Sequence, residues 1–181
     1  ACHANDAVAS IRDTIAFDEA VGVAMNFYNE HPEETLIVVT GDHETGGMTI
    51  GFAGTQYDTF FDKLSGQKIS YEAFDKVLAE YKKRVDPRNA RLEDIMPRIQ
   101  EFFGLGDFKD YELKQLQDSF AQSMKSKEER ASDDQTYLLY GGYEPLTISI
   151  THILNQKAGI GWTSYAHTGV PVPVSAIGVG A

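Results

Sequence analysis

A single cysteine, Cys2, in 181 residues excludes an intrachain disulfide and a cysteine-built zinc cluster, and a lone thiol does not identify a redox compartment. Basic charge is also scarce. Lys and Arg number 16 against 27 Asp and Glu, a formal charge of −11, and no basic run exceeds Lys82-Lys83-Arg84. Duplex nucleic acid and anionic membrane surfaces are therefore poor partners for this chain. No apolar run approaches the roughly 18 residues that span a bilayer. The opening residues, Ala1-Cys2-His3-Ala4-Asn5-Asp6, lack an initiator Met, a basic segment and an apolar segment, so no targeting signal is legible and the chain reads as an internal piece of a longer protein. What remains is ordinary globular composition, 42% hydrophobic and 24% charged, enough for one core with a sizeable insertion.

Periodicity divides the chain into three stretches. Residues 17–30 place Phe17, Ala20, Val21, Ala24, Phe27 and Tyr28 at helical spacing, with Asp18 and Glu19 in the first turn, which predicts an amphipathic helix ending at His31-Pro32. Thr35 to Thr40 is a short β-branched run suited to a strand buried on both faces of a parallel sheet. Gly41 to Gly47 is too rich in glycine for a helix, and Met48 to Phe52 alternates as a second short strand. From about Thr55 to Gln156 the spacing turns helical. Helices are expected at Ser70–Arg84 with Ser70 as cap, at Arg91–Phe103, at Asp110–Arg130 and at Pro145–Gln156. Gly159 to Ala181 returns to Gly, Val, Ile and Pro. The expected fold class is α/β, a mostly parallel sheet flanked by helices, with core residues 1–54 and 157–181 and a large helical insertion at about 55–156.

The chemistry concentrates at a few positions. Asp42-His43 follows a strand, where open α/β sheets place their sites, and offers a carboxylate and an imidazole to one divalent cation. The same pair also suits a turn in which Asp42 caps backbone amides. His43-Glu44 begins the zincin pattern, but Gly47 stands where the second His is required, so that motif is rejected. His167, before the Val170-Pro171-Val172-Pro173 segment, and His3, beside Cys2, are by themselves as compatible with structural roles as with ligation. His31 and His152 read as structural.

Together these stretches resemble the bacterial alkaline phosphatases. Thr40-Gly41-Asp42-His43-Glu44-Thr45-Gly46-Gly47 is similar to the family's Thr-Ala-Asp-His-Glu-Thr-Gly-Gly block, with Gly41 for Ala; Ala166-His167-Thr168-Gly169 resembles its later His-Thr-Gly motif; Cys2-His3-Ala4-Asn5-Asp6 resembles the tail of its Asp-x-x-x-His zinc motif. The three occur in the family's order. The resemblance implies a phosphate monoester hydrolase with a serine nucleophile, two zinc ions and one magnesium, in which His3 and His167 ligate one zinc and Asp42 and His43 the other. It places the nucleophilic serine, the bridging aspartate and most magnesium ligands upstream of Ala1, so no catalytic residue is assigned within this chain and the chain alone is expected to be inactive. It further implies a periplasmic or secreted parent, often a homodimer, with optimal activity at alkaline pH. Two other readings stay open: a related phosphodiesterase or sulfatase-like hydrolase, and a non-catalytic metal-binding or interaction module.

Overall fold

Asp6 sets where the first helix begins. Its carboxylate accepts the Ala9 N–H at 3.0 Å, so α1 runs Ala7–Glu30, ten residues earlier than the apolar stripe predicts. The computed structural model describes all residues 1–181. The stripe expected to be buried is instead largely open: of the α1 residues only Ala7, Val8 and Ser10, in its first turn, are buried.

Strand β1 (Leu36–Thr40) pairs antiparallel with β4 (Val174–Gly178), Leu36 opposite Gly178 and Thr40 opposite Val174. The two-residue strands β2 (Thr49–Ile50) and β3 (Ile160–Gly161) form a second antiparallel pair. This corrects the sheet reading. No parallel pairing is present, and β1 alternates exposed and half-buried residues rather than being covered on both faces, because it has one strand neighbour and only limited packing against α1. The expected strand Met48–Phe52 shrinks to two residues because Gly51, at φ +126°, turns the chain out of the ladder.

Along the chain between β2 and β3 come α2 (Tyr71–Arg84), α3 (Leu92–Phe103), α4 (Asp110–Ser123), α5 (Asp134–Tyr140) and α6 (Pro145–Ala158), with no strand from 55 to 156. Helix α4 stops at Ser123 rather than Arg130. The Arg130 guanidinium donates to the carbonyls of Gln122 and Ser123 and pairs with Glu144, while Ser126 and Glu129 cap a separate 3₁₀ turn at Lys127–Glu129. Helix α5, absent from the sequence reading, is capped by Asp133, whose side chain accepts the Thr136 N–H at 2.7 Å.

Helix α6 sits at the centre and packs against α2, α3, α4 and α5, which explains why its apolar residues point in almost every direction. Leu146, Ile150, Ile153 and Leu154 meet Phe74, Leu78, Ile99, Phe103 and Leu116 in the main core, with Phe74 and Phe103 edge-to-face at 5.2 Å. Each such aliphatic or aromatic side chain contributes about 1.5–3 kcal/mol by leaving water. No helix is long and apolar enough to cross a membrane.

Candidate metal centre

Three chain segments far apart in sequence bring three imidazoles together. His3 lies on a 3₁₀ turn, Cys2–Ala4, before α1; His43 lies in the loop after β1; His167 lies in the loop before β4. Ring centroids are 5.2 Å apart for His3 and His167, 3.6 Å for His43 and His167, and 6.2 Å for His3 and His43. Asp42 reaches the same place, with Oδ2 3.2 Å from Nε2 of His43. The remaining histidines stand elsewhere: His31 packs beside Phe27, and His152 lies in α6.

The His3 turn is anchored by the two residues that follow it. Asn5, at φ 50°, donates through Nδ2 to the carbonyls of Cys2 and Ser164, receives Asn155 Nδ2 on its own carbonyl at 2.7 Å, and faces His152 Nε2 with its Oδ1. Asp6, fully buried, caps α1 through Oδ1, accepts the Gln67 amide, and accepts the Tyr71 N–H through Oδ2 at the start of α2. Sequence reasoning passed over both residues. An Asn tolerant of the left-handed region followed by an Asp before a helix was the available signal.

Glycines let the other two loops close on this turn. Gly46, at φ +83°, donates to Ala166 C=O at 2.7 Å and accepts the Thr163 and Ser164 N–H groups; a Cβ there would fall 2.9 Å from the Trp162 ring. Gly47, at φ +62°, leaves 2.7 Å between such a Cβ and Thr163 Oγ1. Both glycines therefore serve conformation and close approach. Glu44 bridges the loops by its side chain, and the Thr168 hydroxyl, followed by backbone amides, holds its carboxyl below the usual range.

The ring nitrogens divide into two kinds. Nδ1 of His3 faces Tyr165 C=O at 3.0 Å and Nδ1 of His43 faces Glu44 C=O at 2.9 Å. A carbonyl only accepts, so in each neutral ring Nδ1 carries the proton and Nε2 is a lone pair. For His43 that lone pair lies 3.2 Å from a carboxylate oxygen, which is also an acceptor. A metal ion bridging the two would satisfy both acceptors at that distance. Two donors about 2.0–2.1 Å from one tetrahedral zinc stand about 3.3 Å apart, close to this spacing. Two imidazoles on one such ion hold their ring centres about 5 Å apart, close to the His3–His167 separation. The pairwise spacings thus suit zinc, while no group of three or more His, Cys, Asp or Glu side chains is arranged to hold one ion.

Beside the cluster, a cavity of about 370 Å³ is lined by Asn5, His152, Trp162 and Tyr165 among others. Burial pushes His152 down to about 4, and burial raises the Tyr165 phenol, whose hydroxyl donates to Leu139 C=O.

The alkaline phosphatase family pattern matches residues 1–181. The chain is 28% identical over 180 residues to alkaline phosphatase 4 of Bacillus subtilis, covering 99% of this chain and 32% of that protein. It is 25% identical over 182 residues to the repressible alkaline phosphatase of Saccharomyces cerevisiae, covering 96% and 28%. The solved structure of a cold-active alkaline phosphatase from the psychrophile Shewanella sp. superposes with a TM-score of 0.68 at 26% identity, over 98% of this chain and 36% of that one. The chain thus spans about a third of the length of the relatives it matches.

Proposed function

Because the chain belongs to the alkaline phosphatase family, we propose that it supplies the C-terminal metal-binding part of a two-zinc phosphate monoesterase whose serine nucleophile lies upstream of Ala1. His3 and His167 hold one zinc; Asp42 and His43 hold the other. The observation that carries this reading is the pair of acceptors, His43 Nε2 and Asp42 Oδ2, that face each other at 3.2 Å. When bound, two zinc ions activate water, hold the nucleophile and neutralise phosphate charge.

The chain's own residues do the positioning. The Tyr165 and Glu44 carbonyls fix the Nδ1–H tautomers of His3 and His43 and aim each Nε2 as a ligand. Asp42 Oδ1 accepts the His43 backbone N–H at 3.0 Å, which leaves Oδ2 turned toward His43 Nε2. Gly46 and Gly47 bring the backbone of the second loop against residues 162–168, so the ligands are held by short hydrogen bonds rather than by apolar packing. No Ser or Thr here takes the nucleophile's role: Ser164 Oγ accepts the Ala166 N–H, and the Thr168 hydroxyl is committed to Glu44. Magnesium ligation belongs mainly to the upstream part. Export to the periplasm and a homodimeric parent follow from the same family reading.

The test is hydrolysis of a chromogenic phosphate monoester at alkaline pH with zinc and magnesium, by the full-length protein, its His167→Ala variant and the 181-residue chain. The expected pattern is an active full-length protein, a severely impaired variant and an inactive chain. Robust turnover by the 181-residue chain would sink the upstream nucleophile; unchanged turnover by His167→Ala would sink its role as a ligand.

A further inference from the structure

Glu44 is the residue immediately after His43, and Thr168 the residue immediately after His167. One carboxylate joins them. Glu44 Oε1 accepts the Gly47 N–H of its own loop at 2.6 Å, and Oε2 accepts both the backbone N–H of Thr168, at 2.8 Å, and the Thr168 hydroxyl. Each bond is charge-assisted, and the two oxygens serve loops separated by 124 residues of sequence.

We propose that Glu44 is a positioning residue: it clamps the His167 loop to the Asp42-His43 loop and so sets the spacing between the two zinc ions. The proposal rests on the zinc assignment above. Three observations favour a clamp over a ligand or a proton carrier. Both oxygens already accept hydrogen bonds from donors that are not exchangeable partners in a reaction, namely two backbone amides and one hydroxyl. Glu44 is half-buried whereas Asp42 and His43 beside it are exposed, so it points into the seam between loops rather than outward with them. The His43 and His167 rings that follow from the clamp stack at 3.6 Å with a 28° tilt, too close to share one ion through both nitrogens and suited to ligands of neighbouring ions.

Backbone bonds from Gly46 to residues 163, 164 and 166 hold the far side of the seam. Those bonds reach the chain as far as Ala166, just before His167; at Thr168, just after it, both the backbone N–H and the hydroxyl are held by Glu44. Removing the carboxylate leaves the loops associated but lets His167 swing, which loosens the site without unfolding the protein. Shortening it has the same effect, since an Asp at this position cannot reach both Gly47 and Thr168.

The experiment uses the full-length protein and reads zinc affinity by competition with a chromogenic chelator, together with the visible absorption of the cobalt-substituted enzyme, which reports ligand geometry. Glu44→Ala is expected to weaken zinc by roughly tenfold to hundredfold, the range typical of losing a group that orients a ligand, and to change the cobalt spectrum. Thr168→Val, which keeps the amide and loses the hydroxyl, is expected to weaken zinc several-fold; Thr168→Ser is expected to match the unsubstituted protein. His167→Ala reports separately on the zinc assignment. Unchanged affinity and spectrum in Glu44→Ala and Thr168→Val, with zinc lost in His167→Ala, overturns the clamp and leaves the assignment standing. Unchanged zinc binding in His167→Ala overturns the assignment and the clamp with it. If circular dichroism shows that Glu44→Ala does not fold, the Thr168→Val and Thr168→Ser pair decides the clamp by the same readings.

Discussion

In the helical block, α6 buries nearly every apolar side chain it carries, while α1 and β1 leave Phe17, Val23, Phe27 and Val38 more than half exposed. The block closes its own core with α2–α5 around α6. The strand-and-loop end has no such core, and what organises it is a mesh of hydrogen bonds among the His3 turn, the Asp42-His43 loop and residues 162–168. Damage to the first region should therefore appear as lost stability, and damage to the second as lost metal geometry at nearly unchanged stability.

The largest expected effect lies in the loop end. His43→Ala in the full-length protein removes a proposed ligand, and phosphate monoester turnover should fall by at least about a hundredfold while the melting temperature of the metal-free protein stays within a few degrees. A matching collapse in metal-free stability would erase the contrast between the regions. Ile150→Ala in the block should do the reverse. It empties a fully buried site, and a cost of roughly 2–5 kcal/mol is expected in denaturant unfolding, with zinc affinity of the folded protein retained.

A pH titration separates the regions further. Burial lowers His152 from 6.5 to about 4, so between those values the unfolded chain binds a proton that the native chain refuses. Its contribution is complete above about pH 6.5 and is lost as pH falls toward 4, on the order of 1–3 kcal/mol. His152→Gln should flatten that part of the stability curve; a slope identical to the unsubstituted protein would show that His152 is solvated in solution. The smallest effect is expected for the exposed Lys114–Asp118 pair on α4, where Lys114→Ala should cost less than about 0.5 kcal/mol by denaturant unfolding. Arg130→Met should cost clearly more, because it strands a mostly buried Glu144 and uncaps α4.

Local signals carried the helices. Ser70 capping α2, Gly104 ending α3 at φ +66° and Pro145 opening α6 are all readable from a few neighbouring residues, because caps and stops are settled within one turn. The reading failed where a distant group intervened. Arg130 cut α4 short through carbonyls of another turn and Glu144, and α1 gained ten residues because Asp6 serves both its own helix and the start of α2. The sheet failed for the same reason: β1 meets β4 across 134 residues, and its own β-branched run says nothing about direction or about what covers it.

By itself the sequence determined which residues were chemically eligible, since His3, Asp42, His43 and His167 stand in motifs whose donor atoms are a property of residue type. It also determined where Gly46 and Gly47 allow a backbone path closed to other residues. Only the tertiary structure decided that three imidazoles share one place, that the Tyr165 carbonyl faces His3 Nδ1, and that Glu44 ties the two loops together. Most of these contacts join segments more than a hundred residues apart. Their existence depends on how the helical block closes and returns the chain to β3 and β4, a global free-energy minimum that no local window of sequence contains.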